Sequence, residues 1–135
     1  MPKKGVNAHE IIARRMQQAR LSVPDGMSQR GLGIKMGIPE ELASPRINRY
    51  EHAVHAPDAQ TLLEMAKVLG VPPGFLITAD DRMAELILGF ARLSTKAQQE
   101  LLAHLRQVLG DDETEKVKAV MAATGPKKKR AKKSP

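Results

Sequence analysis

Residues 28–51 read SQRGLGIKMGIPEELASPRINRYE, and this stretch decides the fold. Ser28 offers a hydroxyl that can cap a helix, Leu32 and Met36 follow at helical spacing, and Gly37 is placed to end that helix in the left-handed conformation. Ile38 to Ala43, with Pro39 and two acids, reads as an irregular connector. Ser44-Pro45 then reads as a second helix start, a capping hydroxyl followed by a proline whose missing N–H costs nothing at the first helical position. The helix so predicted carries Arg46-Ile47-Asn48-Arg49-Tyr50-Glu51, with Ile47 and Tyr50 inward and Arg46, Asn48 and Arg49 nearer the outside. Two short helices joined through a glycine-bearing turn are the minimum of a helix-turn-helix.

Working outward, the flanks supply the helices such a pair needs to pack against. Asn7 with Glu10 forms a capping signal, and Ile12, Met16 and Ala19 make one apolar stripe before the turn at Ser22-Val23-Pro24-Asp25-Gly26. Downstream, Asp58 caps a helix with Leu62, Leu63, Ala66 and Leu69 on its apolar face and Gly70 at its end. A short turn of helix is expected from Pro73 to Leu76. Asp80 or Asp81 then caps a helix carrying Met83, Leu86, Ile87 and Phe90. Thr95 with Gln98 reads as a capping box for the next, with Leu101, Leu102, Leu105 and Val108 inside, and Asp112 with Glu115 opens a last, weakly apolar one around Val117, Val120 and Met121. No β-branched, period-two stretch persists, so the expected class is all-α.

Composition narrows the function. The net charge is +7, but Lys127, Lys128, Lys129, Arg130, Lys132 and Lys133 concentrate it at the C-terminal end, where residues 126–135 hold no acid. Residues 1–58 carry nine Lys and Arg against six Asp and Glu, whereas residues 59–125 carry seven against nine. A basic N-terminal half followed by a slightly acidic one suits nucleic-acid binding by the first. Tyr50, Phe75 and Phe90 are the only aromatic residues, too few for the ring platforms on which single-stranded bases stack. Without cysteine there is neither disulfide nor thiolate metal site. His52-x-x-His55 has a ligand-like spacing, but no carboxylate pattern accompanies it, so no metal and no cofactor is expected. No apolar run approaches the ~20 residues of a membrane span, and the first residues lack a secretory apolar stretch, so a cytoplasmic protein is expected. No nucleophile–base pair or phosphate-cradling loop suggests an enzyme.

Ser28-Gln29, Leu32, Gly37-Ile38, Ile47 to Glu51, Pro57-Asp58, Leu62-Leu63 and Ala66 to Val71 occur in an order that resembles the Cro/repressor-type (XRE) helix-turn-helix family. The resemblance spans roughly residues 8–77. It implies a lambda-repressor-like bundle of four to five helices; the additional C-terminal helices follow from their periodicity, and the basic tail, with almost nothing to bury, is expected to be disordered. The resemblance also implies that Gln29 bonds to the phosphate backbone and braces the recognition helix. Ser44, Arg46 and Arg49 fall where members of the family read bases, with Asn48 at the edge of that surface and His52 near phosphates. Arg20 and Glu51 match an ion pair tying the first helix to the end of the third. This sequence departs from the pattern in a longer connector after Gly37, in Gly33 where alanine is usual, and in Ala53 where glycine is usual.

The expectation is therefore a double-stranded DNA-binding transcriptional regulator, a repressor acting as a homodimer. Residues 1–78 would form the DNA-binding domain, 79–125 a helical segment available for dimerisation, and 126–135 a basic arm on phosphates. The rival is an antitoxin-like or protein-interaction module whose C-terminal helices bind a protein partner.

Overall fold

The computed structural model describes residues 7–125, and across them the chain forms eight helices and no strand. The all-α class follows as the sequence predicts; the basic segment 126–135, expected to be disordered, lies outside the described residues. The chain divides into two compact units whose boundary falls between Arg92 and Leu93.

In the first unit, α1 (Ala8–Ser22) starts where the Asn7 side chain accepts the Glu10 amide, and it buries Ile12, Met16 and Ala19. α2 (Gln29–Lys35) starts at Ser28, whose hydroxyl accepts the Gly31 amide at 2.8 Å. Past its end the Gly37 and Ile38 amides close back onto the Ile34 and Gly33 carbonyls, both at 2.9 Å. That paired closure is a Schellman cap, and it places Gly37 at φ +90°, where a side chain would be strained.

α3 (Glu40–Glu51) corrects the sequence reading. It begins at Pro39 rather than at Ser44, so Glu40 and Glu41 form its first turn and Pro45 lies inside it. Two carboxylates beside the unpaired amides of a helix start interact favourably with its dipole. Their effect, with Pro39 setting the entry, prevails over the local Ser44-Pro45 signal. Of the supposed irregular connector, Glu40 to Ala43 is helix. This extension explains the departure at position 33: a Cβ there would lie 2.7 Å from the Ala43 Cβ and 2.9 Å from its Cα. The extra turn of α3 crosses α2 so closely that only glycine fits.

α4 (Ala59–Leu69) is capped by Asp58, which accepts the Thr61 amide at 2.8 Å. Its buried residues are Met65, Ala66 and Leu69, while Leu63, expected on the apolar face, is 51% exposed. α5 (Pro73–Leu76) contributes Phe75 and Leu76 to the core. Met16, Leu32, Ile47, Met65 and Leu76, one from each of α1 to α5, are its fully buried large side chains.

α6 (Asp81–Arg92) is capped by Asp80, whose carboxylate accepts the Met83 amide at 2.8 Å. It sets Ala84, Ile87 and Leu88 against this core, so the compact unit runs past residue 78 and includes α6. Arg15 fastens the junction. Buried on α1, it donates from Nε to the Thr78 carbonyl at 2.8 Å and from Nη2 to the Ala79 carbonyl and the Asp81 carboxylate, both at 2.9 Å.

The second unit is a helical hairpin of α7 (Thr95–Leu109) and α8 (Asp111–Ala122). α7 is capped by Ser94, which accepts the Ala97 amide at 3.1 Å, and not by Thr95. α8 starts at Asp111 after Gly110, without the expected capping box at Asp112. Leu101, Leu102 and Leu109 are half-buried, whereas Leu105, Val108, Val117, Val120 and Met121 are exposed. Among the described residues of this unit only Thr114 is buried, its hydroxyl donating to the Arg106 carbonyl at 3.2 Å.

Candidate nucleic-acid interface

Three residues at four-residue spacing, Ala43, Ile47 and Glu51, bury the inner side of α3. At 3.6 residues per turn the opposite side carries Leu42, Pro45, Arg49 and His52, all exposed. Arg46 flanks this outward stripe on one side, and Glu41 and Asn48 flank it on the other; these are exposed as well. Glu40, at the first position of the helix, is held in an ion pair with Arg30 of α2, so that carboxylate is not a bare charge at the tip. The outer side of α3 therefore presents two guanidinium groups, an amide and an imidazole, with a leucine, a proline and the Glu41 carboxylate toward its N-terminal end.

What holds that side in place is a polar network running inward from it. The Arg20 guanidinium grips the Glu51 carboxylate with two bonds, Nε to Oε2 at 2.6 Å and Nη2 to Oε1 at 2.9 Å. The Glu51 side chain is fully buried, and Arg20 also donates to the Met27 carbonyl at 2.8 Å. Gln29, the first residue of α2, donates to Glu51 Oε1 at 3.0 Å and accepts from the Asn48 amide at 3.4 Å. A fork-shaped guanidinium on a carboxylate fixes direction as well as distance. The end of α3 is thus oriented against both α1 and α2. Beyond it, the Ala53 amide bonds to the Tyr50 carbonyl and the Val54 amide to the Arg49 carbonyl, at 3.2 and 2.9 Å. This Schellman closure puts Ala53 at φ +59°, the left-handed conformation that glycine takes without strain. His52 bonds through Nδ1 to the Asn48 carbonyl at 2.9 Å; since a carbonyl only accepts, Nδ1 carries the hydrogen and Nε2 faces away.

No family model matches the chain, and neither does any curated protein. Among solved structures, the crystal structure of the transcriptional regulator BswR aligns with a TM-score of 0.67 at 37% sequence identity, covering 72% of this chain and 94% of that one. The chain belongs to the family of BswR.

In this BswR relative the six residues marked out by the sequence lie together on or beside the α2–α3 pair. Arg46, Asn48, Arg49 and His52 are exposed on α3, and Gln29 is half-buried beneath Asn48. Ser44 is half-buried on the shoulder of α3, closer to the core than the others. Leu42, on the outward stripe, falls in the segment that reads from sequence as an irregular connector, and Pro45 reads there only as a helix start. The signal was present: a proline followed by two acids is itself a helix start. Buried Arg15 was missed because its partners are carbonyls of Thr78 and Ala79, far along the chain. Among the described residues no group of three or more metal-ligating side chains converges, and no helix is long and apolar enough to cross a membrane.

Proposed function

We propose that the protein is a Cro/repressor-type transcriptional regulator, which binds double-stranded DNA sequence-specifically by laying α3 in the major groove. It acts as a cytoplasmic homodimer and represses by occupying its operator. The observation that carries this reading is the exposed outer side of α3, bearing Arg46 and Arg49 and braced from beneath by the Arg20–Glu51–Gln29–Asn48 network. A guanidinium can bond bidentately to guanine O6 and N7, and an asparagine amide to adenine N6 and N7. In this arrangement Arg49, central on the stripe, and Arg46, at its side, read base edges, with Asn48 and Ser44 at the margin. Gln29, with one amide hydrogen beyond its bond to Glu51, contacts a phosphate, and His52 lies beside the phosphate backbone.

Membership of the BswR family supports the regulatory role. The dimer is supported by the geometry of duplex reading, since two half-sites ~34 Å apart require two copies related by a two-fold axis. The apolar residues exposed on α7 and α8 are the surface available for it. Those same residues support the second reading, in which the C-terminal hairpin binds a different protein.

Selection of bound sites from a random duplex pool tests the proposal. The expected product is a short inverted repeat, and Arg49→Ala should relax preference at one base position in each half, costing about 1–3 kcal/mol. A pool that enriches no sequence would refute it.

A further inference from the structure

The outward stripe of α3 is not cationic along its whole length. Arg49 and His52 occupy its C-terminal half, and Leu42 and Pro45 occupy the half nearer the helix start. Leu42 is 45% exposed although it sits on a helix whose inner side is filled by Ala43 and Ile47, both fully buried. Leu42 is not among the apolar side chains packed against the core of the first unit. When a recognition helix enters the major groove, its N-terminal residues approach the base edges. Because α3 starts at Glu40, that N-terminal part is the turn holding Leu42. The apolar feature of the major groove is the C5-methyl group of thymine, and aliphatic side chains discriminate by contact with it.

We propose that Leu42 is a specificity-determining residue that recognises a thymine methyl group, in the same half-site as the base read by Arg49. The inference rests on the proposed reading of DNA by α3. Leu42 and Arg49 lie seven positions apart on one side of the helix, two turns, so the thymine and the Arg49 base are separate positions of one half-site. Pro45 between them carries no amide hydrogen and is exposed, which keeps this part of the stripe apolar.

The test uses the full chain and the duplex that wins the selection. Each thymine in a half-site is replaced in turn by deoxyuridine, which deletes the C5-methyl and leaves every hydrogen-bonding group. Wild-type binding should weaken about fourfold at one thymine per half-site, the effect of one buried methyl group. Leu42→Ala, at an exposed position of a helix, keeps the fold by circular dichroism and should lose that uracil penalty. Arg49→Ala should keep it while relaxing another base position. If Leu42→Ala retains the full uracil penalty, or no thymine shows one, the assignment of Leu42 is wrong even where Arg49→Ala behaves as expected. If Arg49→Ala also leaves every base preference unchanged, the reading of DNA by α3 fails with it.

Discussion

Glu51 shows how a single buried charge can set the geometry of an exposed surface. Its carboxylate is out of water, so its stability depends on the two bonds from Arg20 and the one from Gln29. Replacing such a pair by apolar residues is often neutral, but removing one partner leaves an uncompensated charge. Arg20→Ala should therefore destabilise the fold by about 3–5 kcal/mol, measured by urea denaturation, a loss much greater than that of an exposed ion pair such as Lys116–Glu113. Ala53 offers the opposite case. At φ +59° it carries the strain of a left-handed L-residue, and Ala53→Gly should raise stability by about 1 kcal/mol, seen as a higher Tm. The sequence marked this position as unusual through the family resemblance; the structure supplies the reason that glycine would be preferred.

At the scale of elements, most helices were legible because their signals are local. Asn7, Ser28 and Asp58 cap where they were expected to, and Gly37 and Gly70 close α2 and α4 in the left-handed conformation. α3 was not fully legible, because two start signals lie within a few residues of each other; the earlier one, Pro39 with Glu40 and Glu41, prevails, and Gly33 leaves room for the added turn against α2. Gly33→Ala should separate the two helices and destabilise the protein by about 1–3 kcal/mol, the range of overpacked sites, and should weaken DNA binding as well. The α5–α6 junction has a pH signature. Asp81 is held below the ordinary carboxylate range by hydrogen bonds and charge from Arg14 and then Arg15. A carboxylate with a depressed value in the folded state stabilises above its unfolded value, and that contribution is lost as pH falls through the folded one. Asp81→Asn should accordingly flatten the acid limb of the stability–pH curve and leave its shape at neutral pH unchanged.

Across the whole molecule, burial is concentrated in the first unit. The first unit holds one fully buried large side chain from each of α1 to α5, whereas α7 and α8 leave Val108, Val120 and Met121 largely exposed. Burial of this kind is not readable from periodicity, which marked Leu105 and Val108 as interior without saying interior to what. Sedimentation should find a dimer at micromolar concentration, and Val120→Glu with Met121→Glu should shift it to monomer while leaving the first unit folded. On the proposed reading, the six basic residues of 126–135 would add affinity without sequence information. Deleting them should weaken binding to all duplexes alike and reduce the slope of log affinity against log salt, with the preferred sequence unchanged.

On the proposed reading, the outer side of α3 meets base edges in the major groove. Dimethyl sulfate methylates guanine at N7, which lies in that groove, and so reports on contact there directly. On the selected duplex, bound protein should protect one or more guanines per half-site, and Arg49→Ala should restore their reactivity while Lys and Arg contacts elsewhere keep the complex measurable. Guanine N7 reactivity that is the same in free and bound duplex, or protection that Arg46→Ala and Arg49→Ala together leave intact, would contradict the account.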